Sequence, residues 1–209
     1  MSFSTRIKIC GITRLEDALD CVELGVDALG FVFARSSRRY VTPEHAYEII
    51  KKLPPFVTTV GLFANQSIVT VEDILKKVPI HLLQFHGKES ENYCQHFQRP
   101  YMKAIAMKQG EDALHWEQIF ASAQALLYDT YSETQAGGTG KVFDWSLLPS
   151  GLTKPWVLAG GLCPGNVLEA ISQTGAQSID VSSGVESILG VKDKVKLQAL
   201  IAGVKRARV

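Results

Sequence analysis

Short apolar runs recur along the chain and alternate with segments of helical periodicity. The runs begin near positions 6, 27, 57, 81, 101, 125, 156 and 178, so one run and one helical segment together take roughly 25 residues. The runs are apolar throughout, which is typical of parallel strands covered on both faces. Between them lie amphipathic stripes, of which the first is Leu15, Ala18, Leu19 and Val22. Eight such units predict an α/β protein, a single domain over residues 1–209 folded as a (β/α)8 (TIM) barrel.

The helical segments carry signals for where each helix begins. Thr13 has the spacing of a capping box, so we expect it to cap the first helix. Thr42 followed by Pro43 predicts the start of the second helix. Pro164 is expected to open the helix after the seventh strand, and the last helix is expected to begin near Lys192.

Chemistry in such a barrel is expected at the carboxyl ends of the strands, which meet at one mouth. Cys10 follows the first strand and Asp129 ends the sixth, so a thiol and a carboxylate could face each other there. A thiol in this place can act as a nucleophile or a base, whereas the same thiol further into the helix would only fill space. Arg38 and Arg39 lie in a basic loop, where they could pair with a substrate carboxylate or be simply solvated. His86 also follows a strand, although a structural role is the more common one for such a residue.

Small-residue turns follow the last two strands, Gly160-Gly161 and Ser182-Ser183-Gly184. The loops after strands seven and eight form the usual phosphate site of these barrels, because backbone N–H groups can approach an anion there. The turns therefore predict a phosphate site, although tight turns alone would also explain the glycines.

A third glycine-rich segment, at residues 137–141, resembles a nucleotide-binding loop but fails the pattern. Gln135 stands where the first glycine should be, and Val142 stands where Ser or Thr should follow the lysine. We expect this segment to form a lid over the mouth, with Lys141 near the anion.

Composition excludes several classes of function. The formal net charge of +1 predicts no nucleic-acid partner, and no apolar run is long enough to span a membrane. The first strand starts after five residues, so no signal peptide is expected. The four cysteines show no Cys-x-x-Cys spacing and indicate a reducing, cytoplasmic setting. The five histidines lack the spacing of metal ligands, so no metal is predicted.

The strand ends also carry a set of motifs that occur in order along the chain. They are Lys8–Thr13, Gly30–Phe33, Ser37–Tyr40, Gln84–Gly87, Asp129-Thr130, Gly137–Lys141 with Phe143–Trp145, Gly160–Leu162 and Asp180–Glu186. No single motif is decisive, but the set is specific and covers essentially the whole chain. As a set, the motifs resemble those of the phosphoribosylanthranilate isomerase family of tryptophan biosynthesis.

The resemblance implies a cofactor-free Amadori rearrangement of N-(5-phosphoribosyl)anthranilate, a small phosphosugar, to the corresponding 1-amino-1-deoxyribulose phosphate. It implies that Asp129 is the acid that opens the furanose ring and that Cys10 is the base that removes the C2 proton. Arg39 matches the position that holds the anthranilate carboxylate. Phosphate binding is expected at Gly138, Gly140, Gly160, Gly161, Ser182, Ser183 and Gly184, and supporting roles are expected for Lys8, His86, Lys141 and Asp180.

These roles require particular surroundings. A thiol that works as a base needs nearby positive charge to lower its pKa. Lys8 lies two residues before Cys10, and residues two apart share a strand face, so Lys8 is expected beside the thiol. A carboxyl that works as an acid near neutral pH needs burial to keep its proton.

Two alternatives remain at the level of sequence. The histidine-pathway isomerase performs the same rearrangement on a larger substrate with two phosphates, but it has aspartate in the position of Cys10 and needs a second phosphate site. A bifunctional enzyme is a variant of that alternative. A barrel that only binds a sugar phosphate would need neither the thiol nor the carboxylate. The sequence leaves monomer and homodimer equally open.

Overall fold

The computed structural model describes residues 4–108, 112–130, 144–148 and 151–207. In these ranges, eight parallel strands close into a barrel in chain order, and the eighth pairs with the first. The predicted (β/α)8 barrel is therefore confirmed. The strands are β1 (Arg6–Cys10), β2 (Ala28–Val32), β3 (Thr58–Phe63), β4 (Leu82–Phe85), β5 (Tyr101–Met107), β6 (Ala125–Thr130), β7 (Trp156–Leu158) and β8 (Ser178–Val181).

Helices connect the strands around the barrel. In the described part of the chain, an α-helix follows every strand except β6, which is followed by a short 3-10 helix at Trp145–Leu147. The α-helices are α1 (Leu15–Glu23), α2 (Pro43–Ile50), α3 (Ile68–Lys77), α4 (Glu91–Gln95), α5 (Ala113–Ile119), α6 (Val167–Thr174) and α7 (Lys194–Arg206).

The barrel interior changes from apolar to polar towards the mouth. A buried cluster of small and medium side chains, Val60, Met102, Ala104, Leu127 and Ala159, fills the inside. Asp129 lies two residues beyond Leu127 on β6 and therefore shares its face. Polar side chains that are buried around this end of the barrel include Lys8, Gln84, Asp129 and Asp180.

Two of the predicted helix starts are wrong. Thr13 does not cap α1, because its hydroxyl donates instead to the carbonyl of Gly190, and Arg14 occupies the cap position. Pro164 does not open α6, which begins three residues later, after Asn166. Asn166 binds the preceding turn, accepting from the N–H of Cys163 at 2.8 Å and donating to the carbonyl of Gly161 at 3.0 Å.

The start of α2 is as predicted. Thr42 accepts a hydrogen bond from the N–H of His45, and Pro43 is the first helical residue.

A small hairpin follows β8, where the sequence predicts no strand. After a 3-10 helix at Ser183–Val185, β9 (Glu186–Ile188) and β10 (Val191–Lys192) pair in antiparallel fashion. Gly190 makes the turn possible because its φ of 80° is in the left-handed region. The last helix begins only at Lys194, with Asp193 as its cap, so Lys192 belongs to the hairpin.

Among the described residues, no helix combines the length and the apolar character needed to cross a bilayer.

Candidate active site

A cavity of about 280 Å³ opens at the carboxyl ends of the strands. Its lining includes residues from β1, β4 and β6 and from the loops after β2, β7 and β8, so distant parts of the sequence meet there. Gly138, Gly140 and Lys141 lie outside the described residues. The predicted site residues that line the cavity are Cys10, Arg39, His86, Asp129, Gly160, Gly161, Asp180, Ser182 and Ser183.

Cys10 is the last residue of β1 and is almost fully buried. It pairs in register with Gly30 of β2, where a Cβ would lie only 2.8 Å from the Cys10 sulfur. A side chain at position 30 would therefore displace the thiol. The Cys10 carbonyl accepts hydrogen bonds from Lys192 Nζ at 2.7 Å and from Ser182 Oγ at 3.1 Å, which hold the end of the strand.

Lys8 lies on the same face of β1 as Cys10. Its Nζ donates to Asp180 Oδ2 at 2.7 Å and interacts with the Cys10 thiol. Burial alone would lower the pKa of Lys8, but Asp180 and Cys10 raise it above its ordinary value, so the ammonium stays charged. The other oxygen of Asp180, Oδ1, is buried without a hydrogen-bond partner among the described residues.

The positive charge near Cys10 does not lower the pKa of its thiol below the ordinary value. Burial raises the pKa of the Cys10 thiol and Asp180 raises it further, whereas Lys8 and Lys192 oppose the shift without reversing it. The expected depression of this pKa is therefore wrong, because desolvation outweighs the attraction of the two ammonium groups. The thiol of the resting protein is protonated near neutral pH.

Asp129 is buried beside an imidazole and a backbone N–H. Its Oδ1 accepts from the N–H of Thr130 at 2.7 Å, and its Oδ2 lies 3.2 Å from His86 Nε2. His86 Nδ1 in turn lies 3.1 Å from Gln84 Nε2, so the Gln84 amide donates a hydrogen bond to that ring nitrogen. With Nδ1 accepting, the His86 proton is on Nε2 and faces Asp129.

Arg39 lines the cavity but already binds a carboxylate of the protein. Its Nε and Nη2 donate to the two oxygens of Glu186, each at 2.7 Å. Lys192 Nζ donates to the same Glu186 at 3.0 Å. Burial would raise the pKa of Glu186, but these two cations hold it below the ordinary value. Burial lowers the pKa of Lys192, although Glu186 partly opposes this.

The turns after β7 and β8 are packed against each other and against Asp129. Gly160 has a φ of 83°, and a Cβ there would overlap Thr130 and lie 3.0 Å from Asp129 Oδ1. At Gly184 a Cβ would overlap the carbonyl of Leu162, so this glycine lets the two turns approach. Both positions require glycine for steric reasons, independently of any bound anion.

Three residues of this site carry no role in the sequence-based prediction. Gln84 and Glu186 lie within the quoted motifs, but a motif does not show that one contacts His86 and the other Arg39. Lys192 gives no sequence signal, since its position reads as the start of a helix.

A closed barrel with a thiol, a carboxylate and a guanidinium around one cavity at the carboxyl ends of its strands has the architecture of a (β/α)8-barrel enzyme. The family model described as N-(5'-phosphoribosyl)anthranilate (PRA) isomerase matches residues 7–202. A protein of that name from Pseudomonas fluorescens is 52% identical over 202 residues, which cover 97% of this chain and 99% of the relative. The chain therefore belongs to the PRA isomerase family, the enzymes of tryptophan biosynthesis that its motifs resemble.

Solved structures agree with this assignment. The phosphoribosylanthranilate isomerase of Thermus thermophilus has 38% identity and a TM-score of 0.87, with 98% of this chain and 100% of that chain covered. A second phosphoribosylanthranilate isomerase, solved in complex with reduced 1-(o-carboxyphenylamino)-1-deoxyribulose 5-phosphate, has 38% identity and a TM-score of 0.82, with coverage of 97% and 99%.

Proposed function

We propose that Cys10 is the general base and Asp129 the general acid of the isomerisation of N-(5-phosphoribosyl)anthranilate. The observation that carries this proposal is that the thiol at the end of β1 and the carboxyl at the end of β6 line the same cavity. Binding of a phosphosugar needs neither group, whereas an aldose–ketose rearrangement needs two proton-transfer groups.

Asp129 acts first, in its protonated form. It gives a proton to the furanose ring oxygen, the C1–O bond breaks, and the anthranilate nitrogen supplies the electron pair that forms a C1 iminium. The N–H of Thr130 and the Nε2–H of His86 then stabilise the carboxylate that remains.

Cys10 acts second, as a thiolate. It removes the C2 proton, and the electrons of that C–H bond neutralise the iminium to give an enolamine, which tautomerises to the ketone. The raised pKa of the thiol makes the ionised fraction small but makes each thiolate a stronger base. The Lys8 ammonium, anchored by Asp180, stabilises the thiolate when it forms.

The remaining residues hold the substrate in place. We propose that Arg39 binds the anthranilate carboxylate and that the turns with Gly160, Gly161, Ser182 and Ser183 bind the phosphate, with Gly184 keeping these turns together. Gly138, Gly140 and Lys141 stay predicted phosphate ligands. The absence of a cofactor, the cytoplasmic location and the choice between monomer and homodimer also stay predictions.

The test is turnover of freshly made phosphoribosylanthranilate, followed by the loss of its fluorescence. Cys10→Ala and Asp129→Asn are each expected to lower kcat about a thousandfold or more. Cys94→Ala is the matched control, because this cysteine is buried in α4 outside the cavity. Full activity of Cys10→Ala with an unchanged melting temperature would show that the base is another group.

A further inference from the structure

Lys192 contacts three parts of the site that have separate roles in the proposed mechanism. Its side chain is completely buried at the end of β10. Its Nζ donates to the carbonyl of Cys10 at 2.7 Å, to the carbonyl of Ser182 at 3.1 Å and to Glu186 Oε1 at 3.0 Å. These bonds use all the N–H donors of an ammonium group. One buried cation therefore contacts the strand end that carries the base, the turn after β8 and the partner of Arg39.

Glu186 and Lys192 face each other because the hairpin places them in register. Glu186 receives the fork of Arg39 with both oxygens and Lys192 with one of them. The stem of Arg39 passes directly over Gly11, whose φ of 77° and missing side chain make room for it. The fork to Glu186 therefore fixes the guanidinium, and Gly11 leaves the path that its stem follows.

The charges of this cluster do not cancel. One carboxylate lies between two cations, which leaves a net positive charge beside the cavity. Asp17 also contacts Lys192, by accepting from its backbone N–H at 2.9 Å, and Arg14 lies between that carboxylate, at 4.0 Å, and Glu16, at 3.5 Å. Lys196 adds a further cation, with its Nζ on the carbonyl of Glu186. A buried site with excess positive charge is suited to an anionic group of a ligand.

We propose that Glu186 and Lys192 are positioning residues that hold the Arg39 guanidinium in place for the carboxylate of the substrate, with Lys192 also fixing it relative to Cys10. Glu186 sets the orientation of the fork, and Lys192 supplies the charge that keeps Arg39 from being neutralised by Glu186. A guanidinium held in advance loses little conformational freedom when the ligand binds. This inference rests on the proposed role of Arg39.

Calorimetry with two ligands tests the inference without relying on turnover. The first ligand is reduced 1-(o-carboxyphenylamino)-1-deoxyribulose 5-phosphate, and the second is its anilino counterpart, which lacks the carboxylate. The ratio of the two Kd values measures the preference for the carboxylate. Lys192→Met is expected to lower this preference about tenfold or more, because Glu186 then neutralises Arg39. Lys194→Met, two residues further and exposed, is the matched control and should keep the preference of the native protein.

Glu186→Gln separates positioning of Arg39 from simple attraction by charge. It also tests the inference if Lys192→Met does not fold. Loss of the Glu186 carboxylate raises the positive charge of the cluster, so charge alone would increase the preference for the ligand with a carboxylate. Positioning predicts the opposite, a fall, because an amide cannot accept from both N–H groups of the fork. A preference that rises or stays unchanged in a folded Glu186→Gln protein overturns the inference.

Arg39→Met distinguishes failure of this inference from failure of the proposed function. If this variant keeps the preference for the carboxylate, the proposed role of Arg39 is wrong and the inference falls with it. If Arg39→Met loses the preference while Lys192→Met keeps it, only the positioning role is overturned.

Discussion

Cys10 and Asp129, at the two ends of the cavity, differ in the kind of groups that surround them. Around Cys10 the neighbours are charged: Lys8 with Asp180 on one side, and Lys192 with Glu186 and Arg39 on the other. Around Asp129 the donors come from an imidazole, a backbone N–H and, one step behind, an amide. A base that must become an anion in a buried place needs cations nearby, whereas the N–H donors around Asp129 stabilise the carboxylate that is left once the acid has given up its proton. The contrast matches the roles proposed for the two groups.

Among changes to the surroundings of the two groups, removal of the charge next to the thiol is expected to have the largest effect. Lys8→Met should raise the pKa of Cys10 further and lower kcat/KM about a hundredfold, because the thiolate loses its counter-ion. The pKa of the Cys10 thiol is measured from the pH dependence of its alkylation with iodoacetamide, in a protein that also carries Cys163→Ala. Cys21 and Cys94 do not interfere, because both are fully buried in helices and, unlike Cys10, do not line the cavity.

Arg6→Met is the control for this variant. Arg6 lies on the same strand, but its ion pair with Asp27 is on the surface. An unchanged titration of Cys10 in Lys8→Met would contradict the contrast between the two ends of the cavity.

A smaller effect is expected from crowding the Asp129 end without changing any charge. Gly160→Ala places a Cβ against Thr130 and Asp129, so it should lower kcat about tenfold or more in addition to straining the backbone. Gly25→Ala isolates the strain, because Gly25 has nearly the same φ, 84°, and nothing within 4 Å of an added Cβ. We expect Gly25→Ala to destabilise the fold by about 1 kcal/mol and to leave kcat unchanged. Equal kcat values in the two variants would show that the position of Asp129 is not sensitive to the turn after β7.

The smallest expected effect is on stability at acid pH. Because the pKa of Glu186 is lowered in the folded protein, its ionised form stabilises the fold above the pKa of an unfolded glutamate, and this contribution disappears as the pH falls through the folded pKa. Glu186→Gln should therefore be less stable than the native protein at pH 7, and the difference should shrink towards pH 3. Urea unfolding across this range measures it, and a constant difference would mean that folding does not lower the pKa of Glu186.

The barrel can be predicted from the sequence because the two patterns that indicate it, apolar runs and helical stripes, are local. Apolar runs and helical stripes depend on neighbours within a few positions, and the two-residue alternation of a strand puts Lys8 on the face of Cys10. The wrong prediction of a Thr13 cap involves a partner that is far away in the chain. Thr13 is separated by 177 positions from the carbonyl that takes its hydroxyl away from α1.

The hairpin is the part that no sequence pattern indicates. Its strands have three and two residues, too short for a periodicity, and Lys192 bonds to Cys10 across 182 positions. The pKa of the thiol is missed for a related reason. The sequence shows that a lysine is nearby, but the degree of burial decides which effect is larger, and burial exists only in the assembled barrel.

The most direct test of the two roles is the primary kinetic isotope effect on kcat/KM with substrate deuterated at C2. In Cys10→Ala, removal of the C2 proton should become rate-limiting, and the isotope effect should rise well above that of the native enzyme. In Asp129→Asn, ring opening should become rate-limiting, and the isotope effect should fall towards unity. The reverse pattern, or the same isotope effect in both variants, would contradict the assignment of Cys10 as the base and Asp129 as the acid.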